Sequence, residues 1–367
     1  MSDDTFMRRA LALAERGRGL TSPNPVVGAV VVRDGVVVGE GAHLRAGGSH
    51  AEIEALRQAG ERARGGTLYV TLEPCAHEGR TPPCVPAVIA AGVARVVAAM
   101  GDPNPLVDGR GVAALRAAGV AVEVGRLEGE AASQNRVFLT AMRERRPHVT
   151  LKAAMTADGR IADVHGISRW ITGEAARAEA HRLRSEADAV VVGVTTALRD
   201  DPRLTVRREP AWPREPYRVI LDTQARTPAS ARLVSAGTPA RALVAVGEAA
   251  PADRVRSLES AGATVVRVPL RGGRVDVTAV LDALFAREVR AVLVEGGGET
   301  HASFLAAGVV DRVALFVAPV LLGGRGAPGV LGGEGRELKS AVRLDGATVR
   351  AVGGDFVLEG DVAREAR

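Results

Sequence analysis

Residues 49–60 read SHAEIEALRQAG and residues 73–84 read EPCAHEGRTPPC. Between them they hold a histidine at a helix start, His50, a glutamate two residues on, Glu52, and the chain's two cysteines, Cys75 and Cys84. One imidazole and two thiolates are borderline-to-soft donors of the kind zinc takes. Three such ligands leave one tetrahedral position open, as a catalytic zinc requires for its water. The metal lowers that water's pKa towards about 7 and yields hydroxide at neutral pH. A carboxylate beside the metal, Glu52, then takes the proton and passes it to a ring nitrogen and a leaving amine.

Each residue also has a plainer reading. Ser49 can cap the helix, with Glu52 three residues on completing a capping box. The metal site can be structural, closed by His77 as fourth ligand, or the segment can hold no metal. A closed site would leave Glu52 without use. H-x-E followed by P-C is the pattern of zinc nucleobase deaminases, whose cysteines are spaced C-x2-C. Here the spacing is C-x8-C, and the insert over 76–83 carries His77 and Arg80. Such an insert can close over the metal and read a substrate. The N-terminus of the helix after Cys84 would stabilise a thiolate there.

Alternating strands and helices must position these groups. Residues 5–18 read as a helix, 26–41 as a valine-rich hairpin about Asp34-Gly35, 49–60 as a helix and 66–75 as a strand entering a loop. A helix over 84–91, a strand over 94–100, a helix over 109–119 and a strand over 120–125 make an α/β layered domain. Residues 128–145 read as one helix. The pattern restarts at 148 with a strand and turn to 162, a helix over 172–187 and a strand over 188–196. Strands follow at 217–222, 241–247 and 264–270. Residues 291–300 are a strand entering a glycine-rich turn, with a helix after it, and late strands fall at 312–324 and 355–362. The boundary gives domains 1–146 and 147–367.

A chain of 367 residues exceeds one average domain, and 46% apolar residues suffice for real cores. No apolar run reaches the length of a membrane span. The N-terminus, MSDDTFMRRALALAERG, shows no export signal, so a cytoplasmic protein with reduced thiols is expected. The net charge is only +5, the aromatics only 3% and the basic residues scattered, which excludes a stacking platform for nucleic acid. The basic residues are arginine except for Lys152 and Lys339, a compositional bias rather than a binding surface.

The second half carries weaker signals. In VEGGGETHASFL (294–305) glycines allow backbone to approach a ligand, and the following helix start favours phosphate. It is not a G-x-G-x-x-G fingerprint, and a tight strand-to-helix turn explains it equally. LRDDPRLTVR (198–207) puts two acids and three arginines in one short segment that also reads as a solvated loop. Ser168 and Trp170 precede a helix that Thr172 can cap, with Trp170 as a core candidate. Lys152, inside an apolar strand, needs an acidic partner or a substrate.

The stretches TSPNPVVGAVVV (21–32), HAEIEAL (50–56), TLEPCAHEGRTPPC (71–84) and GDPNPLVDGRG (101–111) resemble the bifunctional riboflavin-pathway deaminase–reductases, whose deaminase half has this long insert. The resemblance runs from about residue 5 to 367. It implies a three-layer cytidine-deaminase-like α/β domain followed by a dihydrofolate-reductase-like α/β domain. It implies that His50, Cys75 and Cys84 hold one zinc, that Glu52 shuttles the proton and that Asn24 touches substrate. The implied reaction hydrolyses the ring amine of a phosphoribosylated diaminopyrimidinone, then reduces the ribosyl group to a ribityl chain with NADPH. Around NADPH it places Ala154, Trp170, Thr196, Asp200, Thr223 and the turn Gly297, Gly298, Glu299, Thr300, His301, Ala302 and Ser303. Around the substrate it places Ser168, Arg184, Asp200, Leu204, Arg207 and Glu295, with arginine suited to the phosphate. A homodimer through the second domain is implied, with no nucleic-acid or membrane partner. The chain departs from the family at Ile167, where an acid is usual, and at Ala76 and Glu78 around His77. Two other readings are a base or nucleoside deaminase with a decayed second domain, and a zinc-stabilised binding module without chemistry.

Overall fold

The computed structural model describes residues 2–79 and 81–364, so Arg80 of the insert lies outside the described residues. The chain forms two compact units, residues 1–146 and 147–367.

In the first unit, α1 (Asp3–Ala14) precedes β1 (Gly28–Arg33) and β2 (Val36–Ala42). The turn joining these strands has positive φ at both Asp34 and Gly35, the conformation an Asp-Gly hairpin needs. Then come α2 (Ala51–Ala59), β3 (Thr67–Val70), α3 (Cys84–Ala90), β4 (Arg95–Ala98), α4 (Arg110–Ala117) and β5 (Ala121–Val124). The sheet order is β2-β1-β3-β4-β5, with β1 antiparallel to both neighbours and β3, β4 and β5 parallel. Successive side chains of a strand face opposite ways. Gly28 of β1 therefore turns towards α1, where an added Cβ would stand 1.9 Å from the Ala10 carbonyl oxygen. Gly39 and Gly41 of β2 turn towards α2, where added Cβ atoms would stand 2.1 and 2.0 Å from the Ala55 and Ala51 oxygens. The result is a helix–sheet–helix sandwich around a core that includes Met7, Val30, Val31, Leu68 and Val97.

The expected single helix over 128–145 is two, α5 (Glu128–Gln134) and α6 (Arg136–Glu144). Asn135 breaks it because its buried amide exchanges two 3.0 Å hydrogen bonds with the Val26 backbone. Ser49 does not cap α2. His50 occupies the N-cap, and its side chain makes no capping hydrogen bond.

The second unit begins with β6 (His148–Thr156), α7 (Glu174–Glu186), β7 (Ala189–Gly193), α8 (Val194–Asp200) and β8 (Tyr217–Leu221). A single turn, α9 (Arg232–Ser235), leads to β9 (Ala242–Gly247), α10 (Ala252–Ser260) and β10 (Thr264–Val268). After the small ladder β11 (Leu270–Arg271) and β12 (Arg274–Val275) come α11 (Val277–Phe285), β13 (Ala291–Val294), α12 (Gly298–Ala306), β14 (Arg312–Ala318), β15 (Leu344–Val352) and β16 (Asp355–Val362). The nine-stranded sheet runs β10-β9-β8-β7-β13-β6-β14-β16-β15, parallel as far as β14 and antiparallel beyond it. The expected strand over 188–196 ends at Gly193, where the chain turns into α8, and that over 312–324 ends at Ala318. Trp170 is not a core residue, with 69% of its surface exposed. Gly173 rather than Thr172 is the N-cap of α7. Among the described residues no helix is long and apolar enough to cross a membrane.

The seating of α2 on β2 admits a direct check. Gly41→Ala should destabilise the first unit by about 1–3 kcal/mol through overpacking against helix backbone and lower zinc retention with it. Urea unfolding followed together with zinc content measures both, and unchanged stability would contradict the packing described.

Candidate active sites

Helix α2 and the loop after β3 bring the first site together. His50 stands at the start of α2, Cys75 in the loop and Cys84 at the first position of α3. The three donor atoms lie within 4.8 Å of one another. His50 Nδ1 is 3.1 Å from Cys84 Sγ and 3.5 Å from Cys75 Sγ. A tetrahedral zinc at ordinary bond lengths has N···S edges of about 3.6 Å, so the donors fit the ion. His77 is not part of this cluster among the described residues, which leaves the fourth position clear of a second imidazole. His50 Nε2 meets the Thr81 hydroxyl at 3.0 Å, a contact that orients the ring with Nδ1 towards the sulfurs. His43 stacks edge-on against His50 with ring centres 5.5 Å apart. Its Nδ1 lies 3.0 Å from the Ser49 carbonyl and its Nε2 3.3 Å from the Asn24 amide. That arrangement suits a neutral ring, and burial holds its pKa down.

Glu52, in the first turn of α2, is only 4% exposed. Burial raises its pKa, and the neighbouring His50 offsets part of the rise. A carboxyl pushed upward in this way accepts and releases protons nearer neutrality. The two thiols are hydrogen-bonded to each other. Hydrogen bonding from Cys84 lowers the Cys75 pKa to about 4 against the cost of burial, with His50 and the Cys84 backbone N–H adding to it. The hydrogen bond with Cys75 and burial push Cys84 up. The start of α3 does support a thiolate, but that of Cys75, whose sulfur accepts the Cys84 N–H at 3.3 Å.

In the second unit a buried charge cluster forms where β6, α7 and β13 meet. Arg184 of α7 holds the Glu295 carboxylate through two hydrogen bonds of 2.6 and 2.9 Å. Lys152 of β6 reaches the same carboxylate at 4.0 Å, its ammonium 5.3 Å from the Phe316 ring centre. Burial alone would raise the Glu295 pKa, but Arg184 first and then Lys152 and His181 bring it to about 2. Burial lowers the Lys152 pKa, with Glu295 opposing and Arg184 adding. His181 is held at about 4 by burial and then by the Arg184 and Arg207 charges.

The other expected residues are placed as follows. Ser168 Oγ lies 3.5 Å from the Asp200 carboxylate at the end of α8. Leu204 is buried with positive φ, and the Arg207 N–H donates to His181 Nδ1. Ala154 of β6 packs beside Phe316 of β14, and the Thr196 hydroxyl stands 3.5 Å from where a Cβ on Gly297 would be. Thr223 Oγ1 accepts the Val275 N–H. Along 297–303 the helix turns its side chains in different directions. Glu299 pairs with Arg274 and the Gly333 N–H, Thr300 packs against Gly193, His301 is buried on the Val330 carbonyl, Ala302 lies against Gly333 and Ser303 bonds back to Glu299. Gly297 and Gly298 remain as a turn without side chains at the start of α12, beside the Thr196 hydroxyl, which suits a phosphate group. Sequence reasoning did not single out Thr81, His43 or His181, because each is defined by a partner distant in the chain.

The unit-specific comparisons follow the same division. Residues 1–100 match the cytidine and deoxycytidylate deaminase zinc-binding region, and residues 147–358 match the RibD C-terminal domain. The class is therefore a zinc-type deaminase joined to a reductase-fold domain. A RibD riboflavin biosynthesis protein of Aquifex aeolicus is 44% identical over 97% of both chains. Acinetobacter baumannii RibD superposes with a TM-score of 0.88 at 38% identity, covering 99% of each chain. A diaminohydroxyphosphoribosylaminopyrimidine deaminase/5-amino-6-(5-phosphoribosylamino)uracil reductase of Thermotoga maritima gives 0.84 at 36%, covering 98% of each. The chain belongs to the RibD family of bifunctional deaminase–reductases of riboflavin biosynthesis. Its deaminase region is of the zinc-binding type, and its reductase domain implies NADPH.

Glu295 gives the second unit an acid dependence of definite sign. The folded carboxyl, at about 2, is a stronger acid than the unfolded one at about 4.5, so as pH falls the unfolded chain binds the proton first. Its contribution, about 3 kcal/mol, is complete above about 4.5 and lost as pH falls through about 2. Glu295→Gln should flatten the pH dependence of unfolding free energy in that window. An unchanged slope in acid denaturation would contradict the cluster's electrostatics.

Proposed function

We propose that the first unit converts 2,5-diamino-6-(5-phosphoribosylamino)pyrimidin-4(3H)-one to 5-amino-6-(5-phosphoribosylamino)uracil, releasing ammonia, and that the second unit reduces the ribosyl group of that product to the ribityl chain. His50 Nδ1, Cys75 Sγ and Cys84 Sγ hold the zinc, which when bound supplies a water of lowered pKa. Glu52 takes one proton of that water and delivers it to the ring nitrogen, then takes the second proton from the same oxygen and delivers it to the departing amine, which leaves as ammonia. Asn24, held by His43, faces the pyrimidine. The observation that carries this reading is Glu52, a buried carboxyl of raised pKa beside three convergent donors, with no fourth among the described residues. The same arrangement disfavours a purely structural metal.

In the second unit, NADPH supplies the hydride. Ala154, Trp170, Thr196, Asp200 and Thr223 line its place, with the turn Gly297–Ser303 under the phosphates. Ser168, Arg184, Asp200, Leu204, Arg207 and Glu295 take the sugar phosphate, with Arg207 suited to the phosphate and Lys152 placed against the reacting end by Glu295. The buried Arg184–Glu295–Lys152 cluster supports a working second domain rather than a decayed one, because such charges are costly to keep without a task. We further propose a homodimer through the C-terminal hairpin. β15 is an edge strand exposed over most of its length, with Val349 67% exposed, and Phe356 of the neighbouring β16 is 47% exposed. Two reduced cysteines support residence in the cytoplasm.

The experiment supplies the phosphoribosylated diaminopyrimidinone and NADPH to zinc-loaded protein and follows both signals. Ammonia should appear first and NADPH loss follow. Glu52→Ala should abolish ammonia release, a loss of about 100-fold or more, while keeping zinc and still consuming NADPH when the uracil product is supplied. Normal ammonia release by Glu52→Ala would overturn the assignment of Glu52. NADPH loss absent with the uracil product would overturn the reductase reading.

A further inference from the structure

The segment GDPNPLVDGRG (101–111) contributes no metal donor, yet the structure fastens it to Cys75 through one buried carboxylate. Glu73 lies two residues before Cys75 and is 4% exposed. Its Oε2 accepts the N–H groups of Asp102 at 3.3 Å and Gly109 at 3.1 Å, and its Oε1 accepts that of Val112 at 3.0 Å. Its own backbone N–H donates to the Met100 carbonyl at 2.9 Å. Pro74, between Glu73 and Cys75, presses its carbonyl on Gly111, where a Cβ would stand 1.9 Å away.

These contacts have a common logic. Val112 is the third residue of α4, so its N–H has no partner within the helix. The N-cap, Gly109, has no side chain to offer and sits at φ +79. Glu73 supplies the missing cap from another element, and its negative charge suits the positive end of the helix. On its other side the Cys75 carbonyl accepts the N–H groups of Cys84 at 3.1 Å and Val85 at 3.2 Å. Cys75 is thus suspended between the starts of two helices, α3 through its own backbone and α4 through Glu73.

We propose that Glu73 is a positioning residue for deamination: its carboxylate sets the depth of the Cys75 sulfur against those of Cys84 and His50, so that the metal is held at the correct distance from Glu52. The proposal rests on the reading of His50, Cys75 and Cys84 as the metal ligands. A carboxylate is required because both oxygens face N–H donors. A glutamine would present one NH2 group to N–H donors and release one side of the clamp. Outer partners of this kind are worth about 10–100-fold in metal affinity or activity.

The test uses the full chain with Glu73→Gln, and with Glu73→Asp, which keeps the charge and shortens the reach. Deamination should lose about 10–100-fold in kcat with KM within about twofold. The visible absorption of the cobalt(II)-substituted site should shift, since it reports donor geometry. Reduction of the uracil product in the second unit should proceed at the wild-type rate, and the first unit's thermal transition should persist, showing that both units are folded. Wild-type kcat with an unchanged cobalt spectrum in both variants would overturn the proposal. Loss of the first unit's thermal transition in both variants would also overturn it, leaving Glu73 a purely structural residue. Wild-type protein that releases no ammonia when zinc-loaded would overturn the metal-site reading and this proposal together, an outcome separable from failure of Glu73 alone.

Discussion

Gly39 and Gly41 let the backbone of α2 rest directly on β2, and that contact sets the first turn of the helix at the end of the sheet. His50 and Glu52 belong to that turn, so their positions are fixed by backbone packing rather than by flexible side chains. The parallel strand β3 ends beside them and delivers Cys75, and α3 starts at Cys84. A helix start and a strand end therefore meet with three soft-to-borderline donors facing inward. Desolvation does the remaining work. The same burial that shields the cluster raises Glu52 towards the range in which a carboxyl can carry a proton.

The second unit uses charge differently. Lys152, Arg184 and Glu295 are all largely buried, and their mutual attraction has to offset several kcal/mol of lost hydration for each ion. Hydrophobic residues of similar volume would serve stability as well. The cluster lies beside the C-terminal end of β13, just before the Gly296–Gly298 turn, where ligands of open α/β sheets bind. Two positive charges about one carboxylate leave net positive charge, suited to an anionic substrate and to a cofactor with phosphates.

The first site was legible because its donors are compressed into two short segments of distinctive residue type. His50, Glu52, Cys75 and Cys84 need only a helix and a strand end to converge, and the valine-rich periodicity foretells both. Thr81, His43 and Glu73 were not legible in the same way. A threonine in T-P-P has no local mark of the imidazole it will meet dozens of residues away, nor a glutamate before proline of the backbone N–H groups it will meet. Local patterns also misled where tertiary bonds override propensity, as at Asn135, which breaks a helix to bond Val26. Ser49 has the composition of a cap, but the backbone turns one residue later. Trp170 reads as core by type, yet it stands exposed between Arg169 and Arg177. The exposed edge strand β15 escaped notice because neither face alternates into a core.

X-ray absorption at the zinc edge of the zinc-loaded chain tests the central claim most directly. The account predicts two sulfurs at about 2.3 Å, one imidazole and one further light atom that belongs to no side chain, the open position beside Glu52. A spectrum with two imidazoles would mean that His77 closes the site, and a closed site would contradict the deaminase chemistry assigned to Glu52.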